Sequence, residues 1–143
     1  DVKIDKTPRA IYASDISAYA VKDIEHNLGR SSLPFSVAFE QQNVLDAMPP
    51  GKDGVLVCNP PYGERIDVTT SEEYAVFFKQ WADHLKANFA GWNAYILTSD
   101  RDTPKYMRLS PTKKTPLYNG ALDCRLFEFK MVQGSARKEK PAE

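Results

Sequence analysis

Short apolar runs alternate along this chain with segments in which apolar residues recur every three or four positions. The run at 10–13 predicts a first strand, and the polar pair after it ends in Asp15. A helix is predicted next, with Ser17 as its cap and Gly29 as its end. A second strand is predicted at 35–39. The apolar positions of the helix are Ala18, Val21, Ile24 and Leu28.

The second half of the chain repeats this alternation. A turn at 49–51 precedes a third strand at 54–58, and a capping-box pattern at 70–73 predicts the start of a long helix that ends at Gly91. The apolar face of that helix predicts core packing and consists of Tyr74, Phe77, Phe78, Trp81, Leu85 and Phe89. The remaining predicted elements are a fourth strand at 93–98, a short helix at 103–109, and strands at 113–118 and 125–131 around Asn119-Gly120.

Strands that alternate with helices and end in a strand pair predict an α/β fold, with a mostly parallel sheet and an antiparallel terminal hairpin. We expect one domain over 1–132, followed by a polar and disordered tail at 133–143. Ligands of such sheets bind beyond the carboxyl ends of the strands. Because Asp15, Asn43 and Asn59 each follow a predicted strand, we expect them to lie on the same rim.

Composition narrows the class of protein. A chain of 143 residues with 42% hydrophobic content suffices for one core. No apolar stretch approaches the roughly 18 residues of a membrane span, and the charged start has no apolar signal core, which predicts a soluble, cytoplasmic protein without a membrane partner. Cys58 and Cys124 stand alone, as do His26 and His84, so we expect inert thiols and no metal site.

The charge is balanced, with 19 basic and 19 acidic residues, which argues against strong nucleic-acid binding by this segment alone. One local excess of cations is opposed in its own span only by Asp102. It is a candidate contact for an RNA backbone, and a solvated loop is the equal alternative. Its members are Arg101, Lys105, Arg108, Lys113 and Lys114.

Asn59-Pro60-Pro61-Tyr62 carries the most chemistry, since it follows the apolar third strand directly. Both prolines fix φ near −65°, and the residue before a proline is extended, so Asn59 is presented in nearly one conformation. The amide oxygen of Asn59 and the carbonyl of Pro60 can then accept both hydrogens of an exocyclic amine. Tyr62 offers a face on which a flipped base can stack. An ordinary turn is the plain alternative.

With these residues the chain resembles the class I S-adenosylmethionine-dependent methyltransferases from Ala10 to Met131. The segments at 59–65, 89–93 and 118–124 resemble those of bacterial large-subunit ribosomal RNA guanine-N2 methyltransferases. The resemblance implies methyl transfer from S-adenosylmethionine to the N2 amine of a guanine in that RNA, without a metal. It also implies site residues. The catalytic ones are Asn59, Pro60, Pro61 and Tyr62. The cofactor-binding ones are Asp15 at the ribose with Ile16 beside it, Asn43 at the adenine with Val44 beside it, and Asn59.

One departure from the family pattern is the region before Asp15. Residues 1–9 contain no glycine, so the first strand and its glycine-rich cofactor turn are not found, nor is the family's amino-terminal RNA-binding domain. We therefore expect a carboxy-terminal piece of a longer enzyme. By itself it should be inactive, bind the cofactor poorly, and tend to self-associate through exposed sheet edges.

Other functions remain open at this point. Adenine-N6 methylation of DNA or RNA is the nearest, because the same tetrapeptide serves both amines. An acid after a strand also suits a nicotinamide-dinucleotide fold, although no Gly-x-Gly-x-x-Gly is present. A non-catalytic RNA-binding remnant is a remote third interpretation.

Overall fold

The computed structural model describes residues 3, 7, 9–33, 36–60 and 71–132. The chain divides into two compact units, Asp1–Ala47 and Met48–Glu143. None of the helices within the described ranges combines the length and the apolarity that crossing a bilayer requires. The predicted tail at 133–143 lies outside the described residues.

The first unit is a strand, a helix and a second strand. Strand β1 (Ile11–Asp15) pairs in parallel with β2 (Val37–Gln41), and helix α1 (Ala18–Arg30) connects them. The predicted cap is confirmed, because the Ser17 hydroxyl oxygen accepts the backbone N–H of Ala20 at 3.4 Å. The parallel register ends at the pair Asp15 and Gln41, so both strands finish at one edge.

The predicted end of this helix at Gly29 is wrong, since α1 continues to Arg30. Ser31 ends it instead. Its backbone is extended, and both its backbone N–H and its hydroxyl donate to the carbonyl of Leu28, at 3.1 and 2.8 Å. A serine that satisfies a last-turn carbonyl removes the need for a left-handed glycine. Strand β2 also begins two residues later than predicted, and Phe35 lies outside the described residues.

The second unit is built on a four-stranded sheet in the order β3-β4-β6-β5. Strand β3 pairs in parallel with β4, whereas β6 runs antiparallel to both β4 and β5. The α/β fold with parallel pairing and an antiparallel terminal hairpin is therefore confirmed. The elements are β3 (Gly54–Cys58), α2 (Ser71–Asn88), β4 (Trp92–Thr98), α3 (Thr103–Met107), β5 (Lys113–Asn119) and β6 (Leu122–Lys130).

The core of the second unit combines one face of the sheet with the apolar stripe of α2. Alternate residues of β4 are buried, as the two-residue period of a strand requires. Phe78, Trp81 and Leu85 are at most 1% exposed, and Phe89 just beyond the helix is also buried, which confirms the predicted core stripe. Tyr74 and Phe77, nearer the start of α2, are half-buried.

The edge strand β3 of the second sheet carries exposed apolar side chains. On β3, Val55 is 60% exposed and Val57 is 73% exposed, and in the described part of the chain this strand pairs only with β4. Unpaired edges of this kind can template association. Self-association through this edge stays a prediction.

Gly91 makes the turn between α2 and β4 possible. The helix ends at Asn88, three residues before Gly91, and Gly91 itself has a φ of 91°. Its N–H donates to the carbonyl of Met131 at 2.8 Å, and a Cβ there would lie 2.7 Å from the backbone oxygen of Lys52. The backbone conformation and this close approach both exclude a side chain.

We expect Gly91→Ala to lower the free energy of unfolding by about 1–3 kcal/mol, because it adds left-handed strain and a backbone clash. Urea denaturation followed by tryptophan fluorescence measures the change. Gly51→Ala is the control, since nothing lies within 4 Å of a Cβ there. Equal stability of the two variants would contradict this role of Gly91.

Candidate active site

Asn59 and Pro60 lie directly beyond the carboxyl end of β3. Asn59 is exposed, whereas Pro60 is buried, so the turn is anchored by the proline and presents the asparagine to solvent. A proline has no N–H to satisfy, and its burial leaves the carbonyl as its only polar backbone group. Pro61 and Tyr62, the other two predicted catalytic residues, lie outside the described residues.

The neighbouring strand brings an acid to the same edge. Cys58, the last residue of β3, pairs with Ile96 in the parallel register, and β4 continues for two more residues to Thr98 at the same carboxyl edge. Beyond β4 the chain turns at Asp100, whose backbone N–H donates to the Thr98 hydroxyl at 3.0 Å. The carboxylate oxygen Oδ1 of Asp100 accepts the N–H of Asp102 at 2.9 Å. The sequence analysis missed Asp100, although a polar residue after an apolar strand is the same signal that selected Asp15 and Asn59.

The charge of Asp100 acts on two tyrosines, Tyr74 and Tyr106. Burial raises the pKa of Tyr74 above its ordinary value, and the negative charge of Asp100 raises it further. The same two causes, in the same order, raise the pKa of Tyr106. The two rings meet edge to face at 5.7 Å, and the Tyr74 hydroxyl is buried. Both hydroxyls therefore remain protonated at neutral pH.

Asp15 occupies the corresponding edge of the first unit. Its Oδ1 accepts the backbone N–H of Ser17 at 2.8 Å, which fixes the carboxylate in a turn before α1. The carbonyl of Ile16 accepts the side-chain amide of Gln41 at 3.0 Å, so the end of β1 is tied to the end of β2. Asp15 is exposed, and its second oxygen has no partner among the described residues.

Asn43 and Val44 follow β2 at this edge. The Asn43 side-chain oxygen accepts the backbone N–H of Leu45 at 2.9 Å, and the Asn43 carbonyl accepts that of Asp46 at 2.9 Å. Asn43 and Val44 are both half-buried. This turn holds the side-chain oxygen and leaves the amide group of Asn43 available as a donor. The structure thus brings the predicted ribose and adenine residues together at the carboxyl edge of β1 and β2.

The family of the chain follows from comparison with known proteins. The family model described as "RMKL-like, methyltransferase domain" matches residues 2–128. The chain belongs to this family. A ribosomal RNA large subunit methyltransferase K/L from Shewanella loihica is 33% identical to it over 132 residues, which cover 92% of this chain and 18% of that protein.

Solved structures agree with this methyltransferase assignment. SMU.472, a candidate methyltransferase crystallised with S-adenosylhomocysteine, superposes with a TM-score of 0.76 at 26% identity and covers 87% of this chain and 32% of its own. A predicted N6-adenine-specific DNA methylase from Listeria monocytogenes superposes with a TM-score of 0.65 at 28% identity, over 83% of this chain and 30% of its own. The chain spans about a fifth to a third of the length of these proteins.

In this methyltransferase domain the first unit carries the cofactor-binding candidates Asp15, Ile16, Asn43 and Val44, and the second unit carries Asn59, a candidate for both roles, and Pro60. That Asp15, Asn43 and Asn59 share one rim stays a prediction, because it concerns both units. The assignments of Asn59, Pro60, Asp15, Ile16, Asn43 and Val44 to catalysis and cofactor binding likewise stay predictions. Within the described ranges, no three metal-ligating side chains converge.

The predicted basic patch is partly neutralised. Arg101 forms an ion pair with Asp123 of β6 at 2.9 Å, and Lys105 forms one with Asp102 at 3.1 Å. The sequence analysis missed Asp123, which lies outside the span of the cations. The patch members without an ion pair among the described residues are Arg108, Lys113 and Lys114, all exposed.

Arg108 also lines two shallow grooves beside α3. Lys105 contributes to both, and Lys79 of α2 contributes to one. Neither groove is lined by Asn59. Cations that line a groove suit a phosphate backbone better than a buried base.

Proposed function

We propose that this domain transfers a methyl group from S-adenosylmethionine to the exocyclic N2 amine of a guanine in large-subunit ribosomal RNA. The observation that supports the proposal best is the position of Asn59 and Pro60 at the carboxyl end of β3, in a chain of the RMKL-like methyltransferase family. The relatives named as ribosomal RNA methyltransferases favour this substrate class.

On the base side, two acceptors hold one amine. The side-chain oxygen of Asn59 and the carbonyl of Pro60 accept the two N–H groups, which draws the nitrogen lone pair out of conjugation with the ring. Pro61 keeps the turn rigid, and Tyr62 stacks on the flipped base. The contribution of the protein is orientation and electrostatic preorganisation, so it needs neither a covalent intermediate nor a metal.

Replacing Asn59 with Ala in the complete polypeptide should lower kcat by about 100- to 1000-fold, because one preorganised acceptor is removed. Affinity for S-adenosylmethionine should stay within a few-fold. Tritium transfer to ribosomal RNA from a deletion strain measures the rate, and calorimetry measures the affinity. Asn27→Ala makes the same chemical change at an exposed position of α1 and should have no effect. Near-normal methylation by the Asn59 variant would refute its role.

On the cofactor side, the free atoms of the first unit fit a nucleoside. The open oxygen of Asp15 suits a ribose diol, since a carboxylate only accepts hydrogen bonds. The amide group of Asn43 and the backbone N–H of Val44 are donors for adenine ring nitrogens. The bound cofactor supplies a sulfonium methyl group, whose C–S bond breaks with its electron pair left on sulfur while the C–N bond forms and the amine loses a proton to water.

Asp15→Asn tests the ribose contact. Asparagine keeps the oxygen that accepts the Ser17 N–H and replaces only the open oxygen by a donor. We expect the Kd for S-adenosylmethionine to rise about 10- to 100-fold in the complete polypeptide, because a charge-assisted hydrogen bond is removed. Asp23→Asn removes the same charge from the exposed face of α1 and is the control. Unchanged calorimetric affinity of the Asp15 variant would remove Asp15 from the cofactor site.

Adenine-N6 methylation is the second candidate, favoured by the likeness to the predicted N6-adenine-specific DNA methylase. The same pair of acceptors would hold the N6 amine. Mass analysis of nucleosides from a deletion strain separates the two candidates, since loss of N2-methylguanine supports the first and loss of N6-methyladenine supports the second.

The unpaired cations are proposed contacts for the RNA backbone. Arg108→Gln with Lys114→Gln should weaken RNA binding by the complete polypeptide and reduce the slope of log K against log salt by about 0.7–0.9 for each phosphate that is no longer neutralised. Arg101→Gln with Lys105→Gln removes the same charge from cations that Asp123 and Asp102 already neutralise, so its effect should be smaller. Fluorescence anisotropy at several salt concentrations measures both slopes. Equal slopes for both double variants would contradict this assignment.

A further inference from the structure

We propose that Asp100 reads the target base beside its reactive amine and selects guanine over adenine. The inference rests on the proposed function, and it names the residue that would make the site specific for guanine. Its basis is the chemistry of the two bases at the atom next to the amine. Beside its N2 amine guanine carries N1–H, a donor, whereas beside its N6 amine adenine carries an unprotonated N1, an acceptor.

Asp100 follows the strand that neighbours β3 in the sheet. Strands β3 and β4 are parallel neighbours, paired at Cys58 and Ile96, and adjacent strands lie about 4.8 Å apart. Asn59 follows the last residue of β3 directly, and Asp100 lies two residues beyond Thr98, the last residue of β4, at the same carboxyl edge. When the amine of a base contacts Asn59, N1 of its ring lies either on the side toward the β4 loop or on the side away from it. On the side of the β4 loop, the described residues include the carboxylate of Asp100.

The loop that carries Asp100 is held by two buried threonines. The Thr98 hydroxyl accepts the Asp100 N–H at 3.0 Å, and the Thr103 hydroxyl donates to the Asp100 carbonyl at 2.8 Å. Thr98 and Thr103 are both 0% exposed. Side chains that are locked by such supporting contacts hold a binding geometry better than free loops do. The backbone position of Asp100 is therefore set before a base arrives.

The two oxygens of Asp100 have different tasks. Oδ1 accepts the N–H of Asp102 at 2.9 Å, whereas Oδ2 has no partner among the described residues. An ionised carboxylate is an acceptor only. Oδ2 can pair with the N1–H of guanine, but opposite the N1 of adenine it would face another lone pair. A site built to bond a substrate N–H discriminates strongly against an analogue that lacks it.

Asp100→Asn should remove this preference with little other change. The asparagine oxygen can keep the Asp102 contact, and its NH2 group replaces only the open Oδ2. The experiment uses the complete polypeptide and first locates the methylated nucleotide by tritium transfer to ribosomal RNA from a deletion strain. Synthetic RNAs that span this nucleotide then carry either guanine or 2-aminopurine there. The latter keeps the N2 amine but presents an unprotonated N1.

We expect the wild-type enzyme to prefer guanine over 2-aminopurine by at least about 10- to 100-fold in kcat/KM, and Asp100→Asn to reduce this ratio by a similar factor while the Kd for S-adenosylmethionine is unchanged. Asp102→Asn removes the same charge two residues away, where the carboxylate pairs with Lys105, and should leave the ratio as in the wild type.

The experiment distinguishes failure of the proposed role of Asp100 from failure of the proposed guanine-N2 function. A wild-type enzyme that methylates guanine, with the same base ratio in the Asp100 and Asp102 variants, overturns the reading role and leaves the proposed function standing. A wild-type enzyme that methylates adenine, or no RNA at all, overturns the guanine function and this inference with it.

Discussion

The parallel pairing of β3 with β4 is the constraint on which the candidate active site depends. Its register is held at one end by Gly54 and Trp92, which are partners in the ladder. A Cβ on Gly54 would lie 2.5 Å from the Trp92 ring, and the indole N–H of Trp92 donates to the carbonyl of Gly51 at 3.1 Å. A shift by one residue would put Val55 against this ring and turn each side chain of β3 to the opposite face. The register that accommodates the ring also pairs Cys58, the last residue of β3, with Ile96, two residues before the end of β4.

The carboxyl edge of β3 and β4 is stabilised by the core on the buried face of the second sheet. The buried stripe of α2 and the buried residues of β4 and β6 exclude water over one face of the sheet, and Thr98 belongs to that face while its hydroxyl fastens the turn at Asp100. The same residue, Thr98, therefore belongs to the core and positions the loop at Asp100. The exposed Asn59 and the open oxygen of Asp100 are polar groups left available at its margin. Groups of this kind are tolerated where water or a ligand can satisfy them.

Patterns of neighbouring residues predicted the strands and helices of this fold well, but they predicted the residues at which helices end less well. The periodicity of two in β4 and the helical stripe in α2 report burial directly, so both elements were found. Helix ends depend on single hydrogen bonds. At α1 a serine hydroxyl and N–H satisfied the Leu28 carbonyl, and the glycine that usually ends a helix stayed inside it. At Gly91 the prediction of a break succeeded because the backbone needed a positive φ there, although the helix had already ended three residues earlier.

The sequence by itself determined the family likeness and the order of strands and helices, and it predicted an amine-holding role for the turn at 59–62, because each of these rests on residues that are neighbours along the chain. It could also place Asp15 and Asn43 after their strands. Only the tertiary structure decided that Asp100 follows the strand that pairs with β3 and that Asp123 neutralises Arg101, since strand pairing joins residues that are distant along the chain. Strand register and side-chain pairing across a sheet follow from packing of the whole unit, and no local pattern encodes them.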